Sequence, residues 1–354
     1  MKNFFRSFLS LNPTSISFGL TIVMVILFSM NITFLDLIEL KTYDLRFKSK
    51  GKKEASPNIV MAVIDEKSLN DIGKWPWPRV KIAELIDRLS EDGAKTIGFD
   101  VGFWEPDENS NLSLLKQLKD HIKSLKIEDE SLSEFIELNE IKADNDLFLA
   151  NSIKNSDADI VLGHFFYTSK YSLNYEVDQE EIARQLHRID NSRYPLIRYD
   201  PASPDIGEFL YRYTAFVPEG NLDVLSDAAE SSGCFNMVPD PDGVIRWMPL
   251  IWKCGEEVYA PLSIQSAWNF LDRPPLMIQV AGYGIEGIWM GDRFIPTDES
   301  GAMLINYLGP EKTFPHYSIS DILNKKLPEG TFDDKIVLIG ATAIGIYDIR
   351  NTPV

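Results

Sequence analysis

Histidine, cysteine and net positive charge are what this 354-residue chain has least of. Its four histidines (His121, His164, His187 and His316) are scattered. With no H-x-x-x-H and no C-x-x-C spacing, a zinc site has no sequence support. No G-x-S-x-G elbow and no G-x-x-x-x-G-K-[ST] loop is present, so nucleophilic catalysis and P-loop chemistry have no positive evidence. The expectation is therefore a chain without catalysis of its own, without metal and without cofactor. Lys and Arg number 35 against 53 Asp and Glu, leaving a net charge of −18. That balance excludes general nucleic-acid binding, which needs a basic stripe to displace counterions from phosphate. It suits a soluble domain repelled by anionic headgroups.

Cys234 and Cys254 are the only cysteines. The segment GCFNMVPDPDGVIRWMPLIWKC reads as a hairpin turning at PDPDG. In a regular hairpin Cys234 faces Met248, and Cys254 lies about six residues further, or ~20 Å at strand rise. A disulfide needs Cα atoms less than ~7 Å apart, so free thiols are expected.

What is present is a long apolar run. From Ile16 to Leu35 the chain reads ISFGLTIVMVILFSMNITFL, and no charged side chain occurs between Arg6 and Asp36. About 20 such residues, at about 1.5 Å each, cover the ~30 Å hydrocarbon core of a bilayer. A cleaved signal peptide has a shorter core and a small-x-small site, and this run ends in Phe34, Leu35 and Asp36. A core helix carries polar residues on one face, which this one lacks. The division expected is a cytoplasmic N-terminus over 1–15, a transmembrane anchor over 16–35, a juxtamembrane helix and linker over 36–57, and an extracytoplasmic domain over 58–354. Lys2 and Arg6 place the N-terminus inside. The far flank (Lys41, Arg46, Lys48, Lys50, Lys52 and Lys53) is basic too, so the positive-inside rule by itself does not choose an orientation.

Past the linker, NIVMAVID is a buried strand, RVKIAELIDRLSEDGA an amphipathic helix closed by Gly93, and KTIGFDVGF a second strand. Together they predict a βαβ unit with parallel strands. The charged stretch 105–144 predicts an amphipathic helix lying on the domain. A partner-helix or homodimer contact is the second use that stretch allows. NDLFLANSIKNSD and DIVLGHFFY add a helix and a strand, and 168–231 is an excursion on the main sheet. PLSIQSAWNFL and SISDILNKKLP are helices, IEGIWMGDRFIPTDESGAMLINYLG holds further strands, and KIVLIGATA is the last buried strand. The fold class is α/β, with a mixed, mainly parallel sheet flanked by helices and one transmembrane helix ahead of it.

Several motifs invite chemistry. GYGIEG, Gly282 to Gly287, matches G-x-G-x-x-G, but a strand-like segment follows where the dinucleotide motif needs a helix. PDPDG has Gly243 fourth from Asp240, not sixth as in an EF loop, so it is read as a turn. Polar residues just past strand ends remain: Asp65 with Glu66, Asp100, and Asp348 with Arg350 after IVLIG. Ligands of open α/β sheets bind at that edge. The loop KWPWPR holds Trp75, Trp77 and Arg79, which could wall a pocket for a small-molecule or envelope ligand. The competing assignment is structural: two indoles capping the core and Arg79 paired with a domain carboxylate.

The order ELKTYDLRF, NIVMAVIDEKSL, GKWPWPR, DRLSEDGAKTIGFDVGF resembles the type 2 CHASE domain, the cyclases/histidine kinases associated sensory extracellular domain. GCFNMVPDPDGVIRWMPL, AMLINYLGP with FPHYSISDIL, and FDDKIVLIGATAIGIYDIRNTP continue the likeness, which runs from about Glu39 to Val354. The stretches 105–144 and 168–231 do not match and read as insertions. The resemblance implies a bacterial extracytoplasmic sensor on an N-terminal anchor in the plasma membrane. Such a sensor leads through further membrane helices to a cyclase, kinase or other output. It leaves open that the parent is a transmembrane adenylate or guanylate cyclase, or that the domain is an envelope interaction module.

Overall fold

The computed structural model describes residues 13–29, 33–107, 109–127, 129–173, 176–344, 346 and 351–353. The chain enters through helix α1 (Pro13–Ser29) and helix α2 (Thr33–Lys50). No residue of α1 is buried, and it exposes Ile16, Phe18, Leu20, Ile22 and Phe28. At 17 residues α1 stops short of the expected 16–35 span. Among the described residues no helix is long and apolar enough to cross a membrane.

Among the described residues the main sheet has seven strands, β1 (Ile59–Ile64), β2 (Thr96–Phe99), β3 (Asp159–Tyr167), β4 (Val217–Glu219), β5 (Ser231–Cys234), β6 (His316–Ser318) and β7 (Ile336–Ala341), all parallel except the short β4. The order is β6-β1-β7-β2-β3-β5, with β4 joined to the end of β3. The predicted βαβ strands β1 and β2 do run parallel, but they are not neighbours. The last strand, β7, lies between them, pairing Ile59 with Ile336 on one side and Thr96 with Ile336 on the other.

Helix α3 (Glu66–Ile72), helix α4 (Arg79–Glu91) and the later helix Ile319–Leu323 cover one face. Ile82, Leu85, Ile86 and Leu89 recur at helical spacing on α4 and are all buried. Each such side chain contributes about 1.5–3 kcal/mol on leaving water. Helix Leu262–Phe270 packs on the opposite face, toward which Gly98 points, while the neighbouring Ile97 and Phe99 join the α4-side core. Its backbone comes so close that a Cβ at Gly233 would stand 2.6 Å from the Leu262 nitrogen.

A second core gathers Tyr194, Leu250, Trp252, Ile278 and Ile288 beside a four-stranded sheet. β3 reaches into it through Phe166, whose ring stacks on Trp252 at 5.8 Å. The 168–231 excursion supplies part of this core. In GYGIEG, Gly282 and Tyr283 make the tight turn between Leu276–Ala281 and Gly284–Met290 and the other four residues open the second strand, so no helix follows its glycines.

Two expectations change here. The cysteine segment is not a paired hairpin: Ser231–Cys234 joins β3, while Trp247–Pro249 pairs with Ala302–Leu304. Both thiols are nevertheless free and buried. The 105–144 stretch is two helices, α5 (Ser110–Ser124) and α6 (Glu130–Ala143), packed side by side. Asn109 and Asp129 cap them, each accepting from backbone N–H groups of the first turn. Helix α7 (Asn145–Asn155) follows and rests on α4.

Candidate functional site

The strand-edge residues are placed by the sheet, and most of them act as struts. Asp65 ends β1 and caps α3. Its Oδ1 accepts from Ser68 N at 2.8 Å, Ser68 Oγ at 2.7 Å and Ser318 Oγ at 2.8 Å. Partial burial raises its pKa, but the donated bonds outweigh that and hold the carboxyl below its ordinary value. Asp65 thereby ties β1, α3 and β6 together.

Trp77 is buried in the main core and donates its indole N–H to the Gly73 carbonyl at 2.8 Å. Trp75 stands edge-on to it at 5.4 Å, half-buried against the same core. Arg79, 8% exposed, donates from Nε to Asp146 Oδ1 at 3.2 Å and from Nη2 to the Glu105 carbonyl at 2.8 Å. Its guanidinium also lies 4.7 Å from the centre of the Phe103 ring. Asp107 accepts from the Arg79 backbone and from Asn145. The Trp-Pro loop is thus a staple between α4, the β2 exit and α7, with the indoles in the core and the arginine on a carboxylate.

Asp100 follows β2 and leans toward β7, where a Cβ on Gly340 would meet its Oδ2 at 3.7 Å. The residue is exposed to water, but protein surrounds its carboxyl on the sheet side. The loss of hydration pushes its pKa up to about 6. Asp348 and Arg350, the remaining candidates, lie outside the described residues. Among the described residues no group of His, Cys, Asp and Glu could hold a metal ion.

The most charged constellation gathers the PDPDG aspartates around Arg246, a residue that motif reading did not single out. Arg246, 1% exposed, is enclosed by three aspartates. It meets Asp44 through Nε to Oδ1 and Nη2 to Oδ2, both 2.8 Å. Nη1 donates to Asp240 Oδ2 at 2.8 Å and to Asp242 Oδ1 at 2.9 Å, and Nη2 reaches Asp242 Oδ2 at 2.9 Å. The PDPDG turn positions two of these carboxylates. Asp240 N bonds the Val244 carbonyl, and Gly243 takes φ 79°, which glycine adopts without strain. The third carboxylate comes from α2. Lys41 adds a bond to Asp242 at 3.1 Å. The Arg246 guanidinium depresses the Asp242 carboxyl well below the usual range, and the aspartates keep Arg246 firmly protonated.

Around this clamp, α2, the segment after it and residue 351 meet. Tyr307 donates to the Ile245 carbonyl at 2.7 Å and stands edge-on to Phe47 of α2. Lys53 N bonds the Leu308 carbonyl at 2.7 Å. The last described residues come back to the same turn: Val244 bridges Asn351, and Ile245 N donates to the Asn351 carbonyl at 2.9 Å. One buried cation therefore joins α2 to the turn that also bonds Asn351. The signal for this lay in YDLRF and PDPDGVIR, where unlike charges sit within apolar runs.

The family model of the CHASE2 domain matches residues 19–354. Neither a curated protein nor a solved structure matches the chain significantly.

Proposed function

Because the chain belongs to the CHASE2 family, sensory domains of bacterial receptors, we propose that it is a membrane-anchored extracytoplasmic sensor that passes its signal to an output module through the Arg246 clamp. The observation that carries this is the bidentate Asp44–Arg246 pair next to the Ile245–Asn351 bond. A sensor must convert a change in the globule into a change between its entry and exit segments. Both are fastened here to one rigid turn. A change in the globule that loosens one of these two attachments lets α2 move relative to residues 351–353, with no catalysis required of the chain.

The anchor is supported by the uncharged stretch between Arg6 and Asp36 and by the apolar side chains that α1 exposes all round. A helix of that composition needs a nonpolar surrounding, and the acidic domain beyond it does not.

The test has two arms. Protease added to intact cells should digest the domain from 58 onward; survival until lysis rejects the extracytoplasmic placement. In a receptor carrying its output module, Asp44→Asn should change basal output and the response together. Unchanged output with the variant folded rejects the clamp as the route.

A further inference from the structure

The α5–α6 hairpin has a face that the rest of the chain leaves open. On α6, Phe135 is 63% exposed, Leu138 51% and Ile141 56%. On α5, Leu114 is 66% and Leu118 45% exposed. The inward seam is a different set, Leu112, Leu115, Ile122, Leu132 and Ile136, which are half-buried or buried. At 100° per residue the two exposed sets fall on the same side of an antiparallel hairpin. Five side chains of this size, each about half exposed, amount to roughly 500 Å² of apolar surface. That is in the range that marks an interaction site.

The pattern on α6 is symmetric about Leu138. Phe135 and Ile141 stand three residues either side of it, and Glu134 and Lys142 four either side. An antiparallel pairing of this helix with its own copy, on a two-fold axis at Leu138, sets Leu138 against Leu138. It also sets Phe135 against Ile141 of the second copy and Glu134 against that copy's Lys142, each twice. Isologous contacts require this self-complementarity. Glu134 and Lys142 are both exposed. Among the described residues neither is ion-paired within the chain; the hairpin's own pair is Lys119–Glu140. With Leu114 and Leu118 at the rim, the pairing buries about 1,000 Å², at the threshold for a specific interface.

We propose that the hairpin is a homodimerisation element, and that α6 pairs antiparallel with α6 of a second copy around Leu138. A lipid surface suits the face less well. Glu130, Glu134 and Glu137 border it, where membrane-lying helices carry lysine or arginine.

The full chain in density-matched detergent, examined by sedimentation equilibrium, should be a reversible dimer. Glu134→Lys and Lys142→Glu should each weaken it about tenfold by facing like charges across the axis, and the double exchange should restore it. All these positions are exposed, so folding is not at stake. In native membranes Leu138→Cys should cross-link to its own copy with a short bis-maleimide, since Cys234 and Cys254 are buried. A monomeric chain, a dimer indifferent to Leu138→Asp, or a double exchange that fails to restore association overturns the proposal. So does a monomer that instead binds zwitterionic vesicles through the hairpin.

Discussion

Asp44 and Arg246 lie 202 positions apart in sequence, yet they meet side-on through two hydrogen bonds of 2.8 Å each. Such a fork fixes both the distance and the rotation of α2 against the Asp240–Arg246 turn. It is also expensive to break on one side only, because the partners left behind keep buried, uncompensated charge.

Arg246→Met should therefore lower stability by about 3 kcal/mol, measured by urea unfolding. Arg246→Lys should recover only part, because an ammonium cannot make both side-on bonds. The clamp also sets an acid limit. The folded Asp242 carboxyl ionises below its unfolded value of about 3.9, so its contribution is complete above about pH 5. It is lost as the pH falls toward the folded value. Asp242→Asn should flatten the stability curve below pH 5; an unchanged acid slope would show that Asp242 is not held by Arg246.

Asp100 has the opposite sign. Its folded pKa is raised to about 6, so between about pH 4 and 6 the folded chain holds a proton that the unfolded chain has released. Stability falls as pH rises through that window. Asp100→Asn should remove the fall and raise stability at pH 7 by at most about 1 kcal/mol, since water screens the carboxylate. Thermal melts at pH 5 and 7 test this, and a variant that gains nothing at pH 7 relative to pH 5 rejects it.

Arg79 should behave as a structural staple. Arg79→Met leaves Asp146 unpaired against α4 and should cost about 3 kcal/mol. Arg79→Lys should stay well below wild type, having lost the Glu105 bond and the guanidinium over Phe103. Full stability in either variant would point to a role for Arg79 other than holding the loop.

The two thiols should be unreactive in the folded chain. Burial raises both, Cys254 to about 12, so little thiolate exists at neutral pH. Intact mass should not change on reduction, and a thiol reagent should react only after denaturant is added. Labelling of either cysteine in native buffer would contradict their burial.

The local elements were readable where the pattern is one-dimensional. The α4 stripe Ile82, Leu85, Ile86, Leu89 and the apolar runs of β1 and β7 announce their own burial, because side-chain period is set by helix and strand geometry alone. In sequence Asp65 reads only as a polar residue past a strand end; its capping of α3 and its bond from Ser318 come from the fold. The 105–144 stretch reads as one helix because the turn between Ser124 and Glu130 carries no glycine or proline; Lys126 takes φ 53° there instead.

The sequence by itself determined the class of the molecule: an uncharged entry stretch, an acidic α/β globule and the run of segments shared with one sensory family. Those follow from composition, periodicity and residue order, which act along the chain. Tertiary structure alone decided that β7 inserts between β1 and β2, and that Asp44 closes on Arg246. Both are pairings across long stretches of chain, where many partners satisfy the same local pattern. Only the packing of the whole fold selects which strand edge or carboxylate is in reach.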